Sequence, residues 1–421
     1  MGIPLSRENR VSAQFGEKKA APDSEFEHLS TVHELLNYKE EPQLCVVEPL
    51  SDAIERGKPD DPRTIVCHDM DGDYKAAFGC CYFRFFSAPD EYLFHHWQVI
   101  DAFVCYSHHM VTMPPLGWIS AAHKHGVKVL GSFILKEDDT SAINMIQGSL
   151  LTPQVAAQLV NVATVVRFDG WVIGIGCNLH PSSVPFVEDL LKAVTTEMHQ
   201  AIPGSLVIWY DAVDVDGNVK PHNELNGKNA CFLDLCDGIL LNFRWTEATL
   251  RNSAQLAGSR KGDVYVGIDV YARSTPYPGG YDMYNVRKTF IVREYALSAA
   301  IIGADWVYKQ NKTMFRENKY LLWALPEHCS SQWRLKKLPL STTFCQGFGA
   351  SVYKQGRAVR QAPWFDIAKQ ELQPRDQGRK LCGGGGSAMV CTDDAYTGGS
   401  CLCLAYERKE APGSRIIPYF R

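Results

Sequence analysis

The sequence predicts an α/β chain: a (β/α)8 TIM barrel followed by a small β-rich domain. Three observations predict it. Eight short, nearly continuous apolar runs recur between Arg63 and Tyr308 ("RTIVCHD", "VIDAFVCYSH", "KVLGSFIL", "GWVIGIG", "SLVIWYDAV", "DGILLNFRW", "DVYVGIDVYAR" and "AAIIGADWVY"), as parallel strands covered on both faces require. Segments of helical period separate them, and strands alternating with helices over this length give the barrel its expected count and size. After "LPLSTTFCQGFGA" the helical segments stop and strand-like stretches follow one another. An open doubly wound sheet is the competing architecture, and no G-x-G-x-x-G turn supports it.

Residues 1–30 are polar and rich in Glu, Lys and Ser, which predicts a loose arm, with a short helical piece around "STVHELLNYKE" after it. The barrel is expected over 31–345. Within it, "TPQVAAQLVNVATVV" starts with Thr152 and Pro153 suited to N-cap and N1, and carries an apolar stripe of Val155, Leu159, Val162 and Val166. "PSSVPFVEDLLKAVTTEMHQ" does the same with Val187, Leu190, Leu191, Val194 and Met198. Over 346–421, "ASVYKQGRAV" and "GSCLCLAYERK" read as strands separated by proline and by the run Gly383–Gly386. The chain stops at Arg421 with too few strands to close a sandwich, so this region is expected to be the beginning of one.

With 421 residues, 45% apolar and 21% charged, the chain can bury a full core. A net charge of −4 supplies no field that would recruit nucleic acid or an anionic membrane. No apolar run has the length of a signal peptide or a membrane span, so a cytoplasmic location is expected. "MGIPLS" fits the short myristoylation pattern through Gly2 and Ser6. The 14 cysteines are scattered and form no C-x-x-C pair, which reads as reduced thiols. The histidine pairs His95–His96, His108–His109 and His123–His125 are better explained by caps and core hydrogen bonds than by metal, and no metal or cofactor is expected.

Barrel chemistry is expected at the C-terminal ends of the strands. Those ends carry His68 and Asp69; Ser107 and His108; Lys136 and Glu137; Gly174 and Gly176; Tyr210 and Asp211; Asn242 and Trp245; Asp269 and Arg273; Asp305, Trp306 and Tyr308. Aromatic faces stack on sugar rings while amides and carboxylates bind hydroxyls, so this set suits a carbohydrate. Equally, a buried tryptophan can be core and a strand-end aspartate can cap the next helix.

Ten segments, including "CHDM", "HHWQVIDAFVCYSHHMVTMPPLGW", "RFDGW", "VIWYDAV", "CDGILLNFRW", "TTFCQGFG" and "PWFDIAKQELQP", follow in order a known pattern. The chain resembles the cytosolic endo-β-N-acetylglucosaminidases of glycoside hydrolase family 85 from about residue 30 to about residue 405. The resemblance implies hydrolysis of the bond between the two core GlcNAc residues of free or protein-linked N-glycans. It also implies a substrate-assisted mechanism, an exception to the two-carboxylate scheme. The substrate's 2-acetamido oxygen attacks the anomeric carbon, an Asn holds the acetamide and the oxazolinium, and a Glu serves as general acid and base. That Asn and Glu lie two apart on the fourth strand, so that both point into one pocket.

Here the matching stretch is "FDGWVIGIGC", which puts Gly174 at the Asn position, Gly176 at the Glu position and Cys177 at the following Asn. Other departures are Lys136 and Glu137 where the family has Glu and Trp, Pro221 for a pocket Trp, and Lys309 for a Glu after "WVY". The resemblance keeps Tyr210 near the reacting acetamide and Asn242 and Trp245 in the pocket wall, with Asp269 and Trp306 as further binding candidates. Loss of a general acid costs about 10²–10⁴ in rate and loss of a charge-stabilising group about 10²–10³. Three readings stand: hydrolysis surviving through a substitute acid (Glu137, His180 or Asp211), an N-glycan-binding protein without turnover, and a scaffold whose pocket has closed.

Overall fold

The computed structural model describes residues 28–39, 47–57, 61–69, 92–136, 152–273, 275, 278–281, 292–310, 322–323, 333–336, 341–373, 380–381 and 386–406. Gly2, residues 1–27 of the expected arm and Glu137 therefore lie outside the described residues.

Eight strands close a parallel barrel: β1 (Thr64–Asp69), β2 (Ala102–Tyr106), β3 (Lys128–Lys136), β4 (Gly170–Gly176), β5 (Leu206–Tyr210), β6 (Gly238–Leu241), β7 (Val264–Asp269) and β8 (Ser298–Ile302). Each pairs with the next, and β8 returns to β1 in a register running from Ala299 opposite Thr64 to Ile302 opposite Cys67. All but Lys136 at the end of β3 and Ser298 at the start of β8 fall inside the apolar runs, because a strand buried on both faces favours apolar side chains along its length. Alternation then divides each strand. Ile65, Val104, Leu130, Val172, Ile208, Leu240, Tyr265 and Ala300 fill the lumen, while Val66, Phe103, Val129, Trp171, Val207 and Trp209 face the surrounding helices.

Those helices include α1 (Val32–Leu36), α2 (Leu116–Lys124), α3 (Thr152–Val166), α4 (Val184–Ala201), α5 (Ala230–Leu235), α6 (Glu247–Ala257) and α7 (Trp306–Gln310). The stripes expected on α3 and α4 are the buried ones: Val155, Leu159, Val162 and Val166, then Val187, Leu190, Leu191, Val194 and Met198. Helix α1 begins at a capping box in which Thr31 and Glu34 satisfy each other's backbone N–H. Ahead of it, His28–Leu29 pairs antiparallel with Val111–Thr112, which itself borders β3.

The entry into β4 explains the "RFDGW" motif structurally. Arg167 ends α3 with φ 68°. The buried Asp169 then accepts from the Val129 N–H at 2.7 Å and pairs with His123 Nε2 at 2.8 Å. Gly170, at φ +152°, passes so close to the Leu206 carbonyl that a Cβ would stand 1.8 Å from its oxygen. Only glycine fits there.

Beyond the barrel come β9 (Gln346–Gly349), β10 (Val352–Lys354), β11 (Arg357–Arg360), β12 (Trp364–Gln370), β13 (Lys380–Leu381), β14 (Gly386–Cys391), β15 (Thr397–Gly398) and β16 (Cys401–Tyr406), in three small antiparallel sheets. The first of these sheets is tied to the barrel. Trp97 Nε1 donates to Gln370 Oε1 at 2.8 Å, and Lys124 of α2 pairs with Glu371 at 3.2 Å.

Candidate active site at the barrel mouth

The C-terminal ends of the strands surround a cavity of about 520 Å³ lined by Cys67, Asp69, Tyr106, His108, Ile134, Tyr210, Asn242, Phe243, Tyr271, Arg273, Asp305 and Lys309, among others. Parity delivers these side chains: Tyr106 continues the lumen face of Ala102 and Val104, and Tyr210 that of Leu206 and Ile208.

On the β4 side, Gly174 and Gly176 are on the same face. A Cβ at 174 would meet Tyr210 Cδ1 at 3.0 Å and Ile134 Cδ1 at 3.1 Å, whereas one at 176 would meet only the Leu135 carbonyl oxygen, at 3.0 Å. Side chains thus take up the space beside Gly174, whereas beside Gly176 a backbone carbonyl stands close and no side chain comes within 4 Å. Tyr210 hydrogen-bonds to Asn242, and its phenol is held above the usual range by burial and by Asp211.

The opposite wall is built on buried carboxylates with cations facing outward. Arg273 grips Asp269 through Nε and Nη2, both at 3.0 Å, and lies over Tyr271 and Phe243 at 5.3 and 6.0 Å. Lys309 pairs with Asp305 at 2.7 Å, and the Tyr271 hydroxyl reaches the same carboxylate at 3.3 Å. Burial together with Asp305 drives the Tyr271 phenol well above its ordinary range. Between these walls, His108 stands 3.6 Å from Asp69, and Lys136 donates to the His108 carbonyl. The Cys67 thiol is pushed up to about 12 by burial, so it is no nucleophile near neutral pH.

The structure therefore brings Tyr210 and Asn242 together at the mouth, next to Gly174 and Gly176. Asp269 supports Arg273 from below, with its side chain fully buried. Trp245 is 1% exposed and donates from Nε1 to the Gly267 carbonyl, in the core behind the strands. Trp306 packs edge-on against Tyr281. Asp211 faces away from the lumen, accepting from Asn229 Nδ2 and the His222 N–H. His180 is exposed in the loop after β4 and engages Ser182. His68 is buried between Tyr92 and Trp118 and kept neutral, its pKa lowered to about 4 by burial. Pro221 lines a separate hollow of about 650 Å³ with Lys220, His222 and Lys228. Sequence reasoning missed Tyr106, Phe243 and Tyr271; for Tyr106, counting by twos from the lumen positions would have found it.

A sequence profile of glycosyl hydrolase family 85 matches residues 83–352. A cytosolic endo-β-N-acetylglucosaminidase of Gallus gallus is 38% identical over 350 residues, covering 81% of this chain and 46% of its own length. The Homo sapiens protein of the same name is 37% identical over 398 residues, covering 90% and 51%. The chain spans about half the length of these relatives. Among solved structures, the glycoside hydrolase domain of Endo-D from Streptococcus pneumoniae superposes with a TM-score of 0.65 at 16% identity, over 90% of this chain and 66% of that one, which speaks to the fold. Among the described residues no helix is long and apolar enough to cross a membrane. With the profile covering more than half of its length, the chain belongs to glycosyl hydrolase family 85.

Proposed function

We propose that this chain is a cytosolic N-glycan-binding barrel of the endo-β-N-acetylglucosaminidase type, with hydrolysis of the GlcNAc-β1,4-GlcNAc core bond weak or lost. The name shared by the relatives supplies the bond, a β-linked N-acetylglucosaminide cut internally, and the location. One observation carries the rest: the mouth stays open at about 520 Å³, with Tyr210, Asn242 and aromatic rings in its lining, while the end of β4 holds Gly174 and Gly176, which the resemblance aligns with an amide and an acid.

In this reading Tyr210 and Asn242 hold the 2-acetamido group, and the oxygen of that group can still approach the anomeric carbon. What is missing is a proton for the leaving oxygen at Gly176 and an amide at Gly174 for the oxazolinium. Asp211 and His180 are poor substitutes, because a general acid must come within hydrogen-bond reach of the leaving oxygen and both engage partners away from the mouth. Open space also favours binding over a sealed scaffold: Lys136 reaches the His108 carbonyl and Lys309 the Asp305 carboxylate, leaving the cavity accessible.

The test pairs calorimetry with turnover. A chitobiose-core oligomannose glycan is expected to bind measurably, with no release of GlcNAc-terminated glycan at micromolar protein. Absence of binding at millimolar glycan would overturn the proposal, and rapid release would restore the enzyme reading.

A further inference from the structure

Strands β14 and β16 set sulfur opposite sulfur. Their antiparallel register places Cys391 across from Cys401, and Met389 across from Cys403. Residues two apart on a strand share a face, so three thiols and a thioether occupy one side of this hairpin. Facing residues of an antiparallel pair have Cα atoms about 4.5–5.5 Å apart, inside the span of about 4.4–6.8 Å that a disulfide needs.

These thiols also differ from those of the barrel. Cys105 and Cys177 are buried, whereas Cys391 and Cys401 are partly exposed and Cys403 is exposed. Burial raises the Cys401 thiol, and the nearby Cys391, Asp394 and Cys403 raise it further. The chain between the facing cysteines also makes contacts of its own. The Ser400 hydroxyl accepts from the Gln346 N–H at 2.9 Å and donates to the Phe344 carbonyl at 3.0 Å, and Thr397–Gly398 pairs with Tyr353 and Lys354.

We propose that Cys391 and Cys401 form a dithiol site that a small disulfide of the glutathione class converts to a reversible intrachain disulfide, closing the base of the 392–400 loop. The Cys391 thiolate attacks one sulfur of the small disulfide, giving a mixed disulfide and releasing one small thiolate. The Cys401 thiolate then attacks the Cys391 sulfur and expels the second. Two protein thiols are oxidised, one disulfide is reduced to two thiols, and both thiol protons pass to the leaving groups. The link fastens the loop that joins this hairpin to the sheets beside the barrel.

The test uses the full chain in glutathione buffers of increasing oxidised fraction, followed by alkylation and peptide mapping. Cys391 and Cys401 are expected to lose alkylation together and to appear in one cross-linked peptide that dithiothreitol releases, while Cys403 stays alkylated. Cys403→Ser should keep the link, and Cys401→Ser should leave a glutathione adduct on Cys391. Full alkylation of Cys391 and Cys401 in oxidising buffer, separate adducts on each, or a link running to Cys403 instead would overturn the proposal. The unmodified chain is read directly, so the outcome does not depend on a variant folding.

Discussion

Tyr210 leans over Gly174: a Cβ built at residue 174 would lie 3.0 Å from its Cδ1 and 3.1 Å from its Cβ. Such distances are tighter than ordinary side-chain contacts, so Tyr210 and Ile134 must shift before any side chain enters at 174. Gly176, two residues along the same strand, meets only a carbonyl oxygen at the equivalent point. The two positions that resemble a catalytic pair thus differ physically.

Gly174→Asn should therefore be the more destabilising substitution, by about 1–3 kcal/mol, the usual range for forcing atoms into packed space. Gly176→Glu brings its Cβ to 3.0 Å from the Leu135 carbonyl oxygen but meets no side chain there, so it should cost about 1 kcal/mol. Urea denaturation of the two single variants checks the ordering, and an inverted order would mean that Tyr210 yields freely.

Installing an Asn and a Glu at 174 and 176 will not by itself give a good general acid. Lys136 is the cross-strand partner of Gly176 in the β3–β4 register, and parallel neighbours about 4.8 Å apart present their side chains to the same face. An ammonium at such range lowers a carboxyl pKa by about 1–3 units, so the carboxyl introduced by Gly176→Glu would be ionised when a proton donor is needed. The Gly174→Asn/Gly176→Glu variant should show its activity mainly at acidic pH. Adding Lys136→Gln should raise kcat/KM at neutral pH about tenfold, because one pKa unit is about 1.4 kcal/mol. A pH–rate profile with the same alkaline limb in both variants would refute the role given to Lys136.

Much of this was legible in the sequence, because strands buried on both faces leave uninterrupted apolar runs, and eight of them announce a barrel. The stripes of α3 and α4 were legible for the same reason. Side-chain direction at the strand tips was harder to read. Asp211 follows Tyr210 immediately, so strict alternation turns it away from the lumen and onto Asn229. Trp245 comes four residues after the last residue of β6, where the chain has left the strand and period-2 counting no longer applies. Tyr271 and Arg273 lie beyond β7, and their places depend on a bend around Asp269 that composition does not reveal.

Trp245 and the Tyr210–Asn242 pair should separate cleanly on mutation. Trp245→Phe removes the bond to the Gly267 carbonyl and leaves a gap in the core, costing about 1–3 kcal/mol. Asn242→Ala alters the mouth lining and should weaken glycan binding about tenfold while leaving the unfolding midpoint nearly unchanged. Calorimetry and thermal unfolding on the two variants distinguish a wall residue from a core residue. A loss of affinity for Trp245→Phe larger than that for Asn242→Ala would reverse the assignment.

The anchor beneath β4 makes stability depend on pH. Burial opposes a charged His123 imidazole, but the hydrogen bond and charge of Asp169 and the Glu48 carbonyl outweigh it, leaving the pKa above its ordinary value of 6.5. The folded state therefore binds this proton more tightly than the unfolded chain. Its stabilising contribution is complete below about pH 6.5 and is lost as pH rises through the raised folded value. Replacing Asp169 by Ala strands both the Val129 N–H and the His123 ring in a buried site, and should cost about 3–5 kcal/mol. In His123→Gln the pH-dependent part should vanish: the stability difference from the parent protein, measured by urea denaturation, should be largest at pH 6 and shrink towards pH 9. A difference that grows with pH would mean that the imidazole is neutral in the folded protein and has a single N–H for either Asp169 or the Glu48 carbonyl.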